Sequence, residues 1–130
     1  MMRSLLHAAH LLEKRWEDAL EKVGLSGPKF AALTHLVQAG EPLRLSECAE
    51  KMTCVRSNIT QLMDRLEADG LVRRIQDPSD RRTVRAAVTA LGVKRQAAGA
   101  LEAERVQKEF GKTLSGIDHV PLKQALEAIK

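Results

Sequence analysis

Tyrosine is absent from this 130-residue chain, and Trp16, Phe30 and Phe110 are its only aromatic residues. Against 18 Leu and 17 Ala, that scarcity favours helices over strands, because Leu and Ala lose little side-chain freedom in a helix. Two cysteines, Cys48 and Cys54, are too few for a disulfide scaffold and fit a reducing compartment. No apolar run approaches the roughly 20 residues that a bilayer span requires. The start, Met-Met-Arg-Ser-Leu-Leu-His, lacks the apolar core and small-residue cleavage site of a signal peptide. A soluble, cytoplasmic protein without a membrane partner is expected.

Catalytic patterns are missing as well. The chain has no Ser/His/Asp order, glycine-rich phosphate loop or Cys-x-x-Cys pair, and its carboxylates are scattered along helix surfaces. Neither an enzyme nor a cofactor is expected.

What is present is a charge excess with a definite location. Lys+Arg number 21 and Asp+Glu 17, a net of +4. Residues 56–95 hold nine basic side chains (Arg56, Arg65, Arg73, Arg74, Arg81, Arg82, Arg85, Lys94, Arg95) against five acidic ones, and the remainder balances at twelve each. All the net charge thus falls in one third of the chain. At this length one domain spanning 1–130 is expected, burying roughly two thirds of its unfolded surface.

Apolar residues recur at three- and four-residue steps from 4 to about 23 (Leu5, Ala8, Ala9, Leu12, Trp16, Ala19, Leu20, Val23), which predicts an amphipathic helix stopped at Gly24. Ser26 caps a second helix with Pro28 in its first turn and a stop at Gly40-Glu41-Pro42. Ser46 opens a short third helix facing inward through Leu45, Cys48, Ala49 and Met52. A fourth runs from about Arg56 to Ala68, with Ile59, Leu62, Met63 and Leu66 inward and Gly70 as its stop. The period then changes. Leu71–Gln76 and Thr83–Val88 read as two strands of a hairpin, joined by the polar loop Asp77-Pro78-Ser79-Asp80-Arg81-Arg82. Thr89 caps a long fifth helix, and a last helix follows Pro121.

A short helix, a turn and a second helix with a polar, basic outer face can lay that second helix in a DNA major groove. Thirteen residues make it roughly 20 Å long. Burying its apolar stripe leaves Ser57, Asn58, Thr60, Gln61 and Arg65 outside. Asn58 and Gln61 carry the amide pair that reads adenine bidentately, Ser57 and Thr60 suit phosphate or base, and Arg56 suits phosphate. Arg73, Arg74 and Arg85 add charge on the hairpin, and Arg81 and Arg82 sit at its tip, where guanidinium groups suit phosphates and a narrow minor groove.

The segments Leu25-Ser26, Phe30-Ala31-Ala32-Leu33, Leu45-Ser46-Glu47-Cys48-Ala49, Ile59 to Arg74 and Asp77 to Arg82 resemble the MarR family of bacterial transcriptional regulators. The resemblance spans nearly the whole chain and is most specific over 59–82. It implies a mainly α fold with a small β-hairpin wing, a winged helix-turn-helix lobe at about 26–89, and dimerisation through helices at about 1–24 and 90–130. It further implies a homodimer on a pseudo-palindromic operator of double-stranded DNA, released by a small phenolic or other anionic effector. By the same resemblance, Asp80-Arg81-Arg82 is the wing motif, its arginine entering the minor groove and its aspartate helping to hold it. Gln61 and Asn58 stand where the family often has Arg and Thr, which implies a different preferred operator.

Other candidates each carry a plainer alternative. Cys54 precedes the fourth helix, whose N-terminus would activate an exposed thiol for redox sensing; packing is the alternative, as for Cys48. His7 and His10 share a helix face with Glu13 or Glu17, but three metal ligands at coherent spacing are not visible, so no metal site is expected; His35 and His119 stand isolated. Trp16, Phe30 and His35 suit an apolar effector pocket or ordinary core, with Arg95 or Lys94 near an anionic ligand. The functional alternatives are a winged-helix protein-interaction module without DNA binding and a cysteine-based redox regulator.

Overall fold

The computed structural model describes residues 1–53 and 56–130, and for Arg56 and Ser57 the backbone alone. Helix α1 (Met2–Glu21) is followed by a turn in which Gly24 adopts φ +73°. Helix α2 (Gly27–Ala39) starts where Ser26 Oγ accepts the Lys29 N–H at 3.3 Å and ends at left-handed Gly40, which donates to Leu36 and Val37 carbonyls. Strand β1 (Leu43–Arg44) runs directly into α3 (Leu45–Met52). Helix α4 (Arg56–Ala68), strands β2 (Val72–Asp77) and β3 (Asp80–Val88), and helices α5 (Ala90–Thr113) and α6 (His119–Glu127) complete the order. This is a mainly helical fold with a small antiparallel wing, as the sequence implies.

Three local expectations are corrected. The sheet has three strands in the order β1-β3-β2, not two, with Leu43 opposite Ala86 and Arg44 opposite Arg85; a two-residue strand is too short to show alternation. Ser46 does not open α3. Because residues 43 and 44 are drawn into the sheet, the helix starts at Leu45, and Glu47 Oε1 accepts the Arg44 N–H at 3.2 Å. The polar loop 77–82 shrinks to a tight turn at Pro78-Ser79, because Asp77 Oδ1 accepts both the Ser79 N–H at 3.0 Å and its hydroxyl at 2.8 Å.

The core is built from Leu20, Leu25, Leu33, Leu36, Cys48, Ile59, Met63, Leu66, Leu71, Val72 and Ala86. The alternation of Ile59, Met63 and Leu66 on α4 places one stripe inside and leaves the polar face out. Cys48 is buried, as its packing role predicts. Helix α5 packs against α1 and α2. Its start is fixed by Thr89, whose hydroxyl donates to the Gly70 carbonyl at 2.7 Å and accepts the Gly92 N–H at 3.0 Å. By contrast Leu5, Leu6, Leu101, Ile117, Val120 and Ile129, on α1, α5 and the C-terminal segment, remain exposed. No described helix is long and apolar enough to cross a membrane.

Candidate nucleic-acid interface

Helix α4 projects Asn58, Thr60, Gln61 and Arg65 to the exterior while Ile59, Met63 and Leu66 hold it down. A groove of about 280 Å³ runs along one flank, lined by Pro28 of α2, Met52, Asn58, Gln61 and Arg65. The other flank faces the wing across a groove of about 240 Å³, where Thr60 stands with Arg44, Ser46 and Arg82. Helix α4 therefore forms a ridge between two channels. Arg56 and Ser57 occupy its first turn, but their side chains, like Cys54 as a whole, lie outside the described residues.

The arginines divide into two groups. Arg65, Arg73, Arg81 and Arg82 are exposed, and none of their guanidinium groups has a partner among the described residues. Asp80 accepts the Arg82 backbone N–H at 3.0 Å and the Thr83 hydroxyl at 3.1 Å, so it shapes the wing's backbone and leaves the Arg82 side chain free. Arg74 is engaged. Its guanidinium pairs with Asp64 and, at 3.2 Å, with Glu67, and its N–H donates to Glu67 at 3.0 Å, tying β2 to α4. Those bonds lower the Glu67 pKa, the backbone bond most, and raise that of Arg74, where Asp64 contributes most.

Arg85 is engaged too. Its Nε and Nη2 lie 3.1 and 3.0 Å from Asp77 Oδ2, and Nη1 donates to the Pro42 carbonyl at 3.3 Å. Asp77 is a buried carboxylate, and the two bonds from Ser79, followed by those from Arg85, hold its pKa at about 2 against the opposing effect of burial. The structure thus surrounds Arg74 and Arg85 with protein partners, while Asn58, Gln61, Arg65, Arg73, Arg81 and Arg82 are exposed. Sequence reasoning missed Asp77, Arg44, Asp64 and Glu67. The one local signal was Asp77 two residues before Ser79, the spacing of a side-chain-closed turn.

The proposed effector residues do not share one chamber. A groove of about 510 Å³ between α1 and α5 is lined by Leu12, Glu13, Trp16, Glu17, Val106, Gln107 and Phe110. Phe30 instead meets Trp16 edge-on, with ring centroids 5.9 Å apart, and approaches Gly99. His35 is half-buried on α2. Arg95 lies against Gly24, and Lys94 is exposed. His7 and His10 are exposed on α1, His119 Nε2 lies 3.2 Å from the Leu114 carbonyl, and no group of three or more metal-ligating residues occurs among the described residues.

Comparison with known proteins agrees with this geometry. Residues 25–84 match the model of the MarR family. The uncharacterized HTH-type transcriptional regulator YsmB of Bacillus subtilis (strain 168) is 34% identical over 83 residues, 64% of this chain and 56% of that protein. The matched segment spans only about half the length of such curated relatives. Among solved structures, AbsC, a MarR family transcriptional regulator from Streptomyces coelicolor, is 28% identical with a TM-score of 0.85, covering 98% of this chain and 88% of its own. A mutant MarR from E. coli, solved in complex with operator DNA, shares the fold at 19% identity and a TM-score of 0.81, over 96% of this chain and 89% of its own. In its α3–α4 helix pair, its three-stranded sheet and its sequence over residues 25–84, the chain is similar to members of the MarR family of transcriptional regulators.

Proposed function

We propose that this protein is a sequence-specific regulator of transcription that binds double-stranded DNA as a homodimer, and that it represses by covering a pseudo-palindromic operator. The observation that carries this reading is the division among polar side chains. Asn58, Gln61 and Arg65 on α4 and Arg81 and Arg82 on the wing are exposed and have no side-chain partner among the described residues, whereas Arg74 and Arg85 are taken up internally. Amides on a helix suit base edges, and free guanidinium groups on a protruding hairpin suit phosphates and a narrow minor groove. The E. coli fold neighbour in complex with operator DNA supports the same use of the lobe.

Dimerisation is supported by the exposed apolar side chains of the terminal helices, which one copy of the chain leaves uncovered. With 1–24 and 90–130 as the dimerisation region and 26–89 as the reading lobe, two copies of α4 about 34 Å apart would enter successive major grooves. An effector fits best in the groove beside Trp16. Its charged lining residues are Glu13 and Glu17, which favours a neutral phenolic molecule over an anion. Binding there would lower affinity for DNA by favouring a dimer with wrongly spaced heads.

Selection of bound fragments from a random duplex pool tests the reading. Two inverted half-sites separated by about one helical turn are expected. Recovery of no sequence, with equal binding to all duplexes, would rule it out. The cytoplasm is the compartment in which such a regulator acts.

A further inference from the structure

Arg44 on β1 and Arg85 on β3 stand directly opposite each other in the sheet register. Like charges in that position repel, and a buried carboxylate offsets them: Asp77 Oδ2 lies 3.0 Å from Arg85 Nη2 and 3.6 Å from Arg44 Nε. The other oxygen of Asp77 is occupied by Ser79. Arg85 continues outward to the Pro42 carbonyl at 3.3 Å and to Glu47 on α3 at 4.0 Å. One guanidinium thereby joins the wing turn, the segment entering β1 and the first helix of the helix-turn-helix.

Its place in the sheet matters. Strand β1 pairs only with Arg85 and Ala86, so beyond that point the wing is a two-stranded hairpin, and its register shifts between Gln76 and Asp77. A lone hairpin is marginally stable in water. Arg81 and Arg82, whose guanidinium groups have no partner among the described residues, lie on this outer part, and Arg82 is three residues from Arg85, roughly 10 Å along an extended strand.

We propose that Asp77 and Arg85 form a wing latch: they are positioning residues that fix the tip, with Arg81 and Arg82, relative to α4, so that both elements meet DNA in one register. The latch rests on the DNA-binding function proposed above. It assigns Arg85 a part different from a phosphate contact. Three of its nitrogens are committed to protein oxygens in a planar fork, a geometry that lysine, with the same charge, does not reproduce.

The test compares wild type, Asp77→Asn, Arg85→Lys and Arg82→Ala on a selected operator fragment over a range of salt concentrations, and follows amide hydrogen exchange in the free proteins. Asp77→Asn removes a negative charge, which by charge alone would tighten binding to DNA. The latch predicts the opposite: about tenfold weaker binding and a salt slope lower by about one, the same loss as for Arg82→Ala. Arg85→Lys should behave likewise, and adding Arg82→Ala to either should cost little more. Major-groove protection beneath α4 should persist while minor-groove protection beneath the wing disappears. In the free proteins, amides 80–84 should exchange faster, with α4 protection retained. Tighter or unchanged binding by Asp77→Asn, wild-type affinity in Arg85→Lys, or unaltered exchange at 80–84 overturns the latch. Wild-type protein that binds no duplex overturns the DNA-binding function instead, and the exchange measurement then decides the latch alone.

Discussion

Glu17, on the solvent side of α1, accepts the backbone N–H of Gly27 with both carboxylate oxygens, at 3.1 and 3.2 Å. The first helix thereby caps the second across ten residues, where α1 meets the start of α2. An anionic group at a helix N-terminus satisfies an unpaired N–H and complements the helix dipole. Glu17→Ala should therefore cost about 1 kcal/mol of stability, measurable as a lowered urea midpoint. No change in midpoint would show that water serves Gly27 equally well.

Gly92 should tolerate no side chain. A Cβ there would sit 2.1 Å from the Leu71 carbonyl oxygen, a backbone atom that cannot swing aside. Gly92→Ala should destabilise by about 3 kcal/mol or more. Gly111, on the same helix, has nothing within 4 Å of its virtual Cβ. Gly111→Ala should be neutral or stabilise by up to about 1 kcal/mol. Chemical denaturation of the pair separates the steric effect from helix propensity.

Asp77 makes stability depend on acid. Its folded pKa of about 2 lies below its ordinary 3.8, so its contribution is complete above the unfolded value and is lost as pH falls from near 4 through 2. Wild-type stability should drop across that window. Asp77→Asn should be less stable at neutral pH and show a shallower acid limb, seen in urea titrations at stepped pH. An equally steep limb would assign the acid response to other carboxylates.

On DNA, Arg82→Ala should weaken binding to all sequences and reduce the salt slope by about one, as expected when one counterion-displacing contact is lost. Gln61→Ala should instead relax preference at particular base pairs. Equal losses on operator and random duplex after Gln61→Ala would remove its reading role. Arg73, exposed and unpaired among the described residues, should follow Arg82, whereas Arg74→Ala should chiefly lower stability because it unties β2 from α4.

Much of the architecture was legible from neighbours in sequence. Ser26 and Thr89 cap helices through atoms three residues away, Gly40 and Gly70 end them through their own φ angles, and the Ile59–Leu66 stripe sets which face of α4 turns inward. Such signals act within one or two helical turns, so periodicity and residue type suffice to locate them. Strand β1 was not legible, because two residues carry no period. Nor was the division among the arginines. Arg73 and Arg74 are adjacent and chemically identical, yet among the described residues Arg73 is exposed without a partner and Arg74 is bound, because β-strand neighbours point to opposite faces and only one face meets α4.

The sequence by itself determined the helical composition, the caps, the buried stripe of α4 and the concentration of charge between residues 56 and 95. Only the tertiary structure decided which of those charges remain available to a partner. Arg85 finds Asp77 eight residues away and Pro42 forty-three residues away. Contacts at such separations depend on strand register and helix packing, which bring together groups that no local spacing connects.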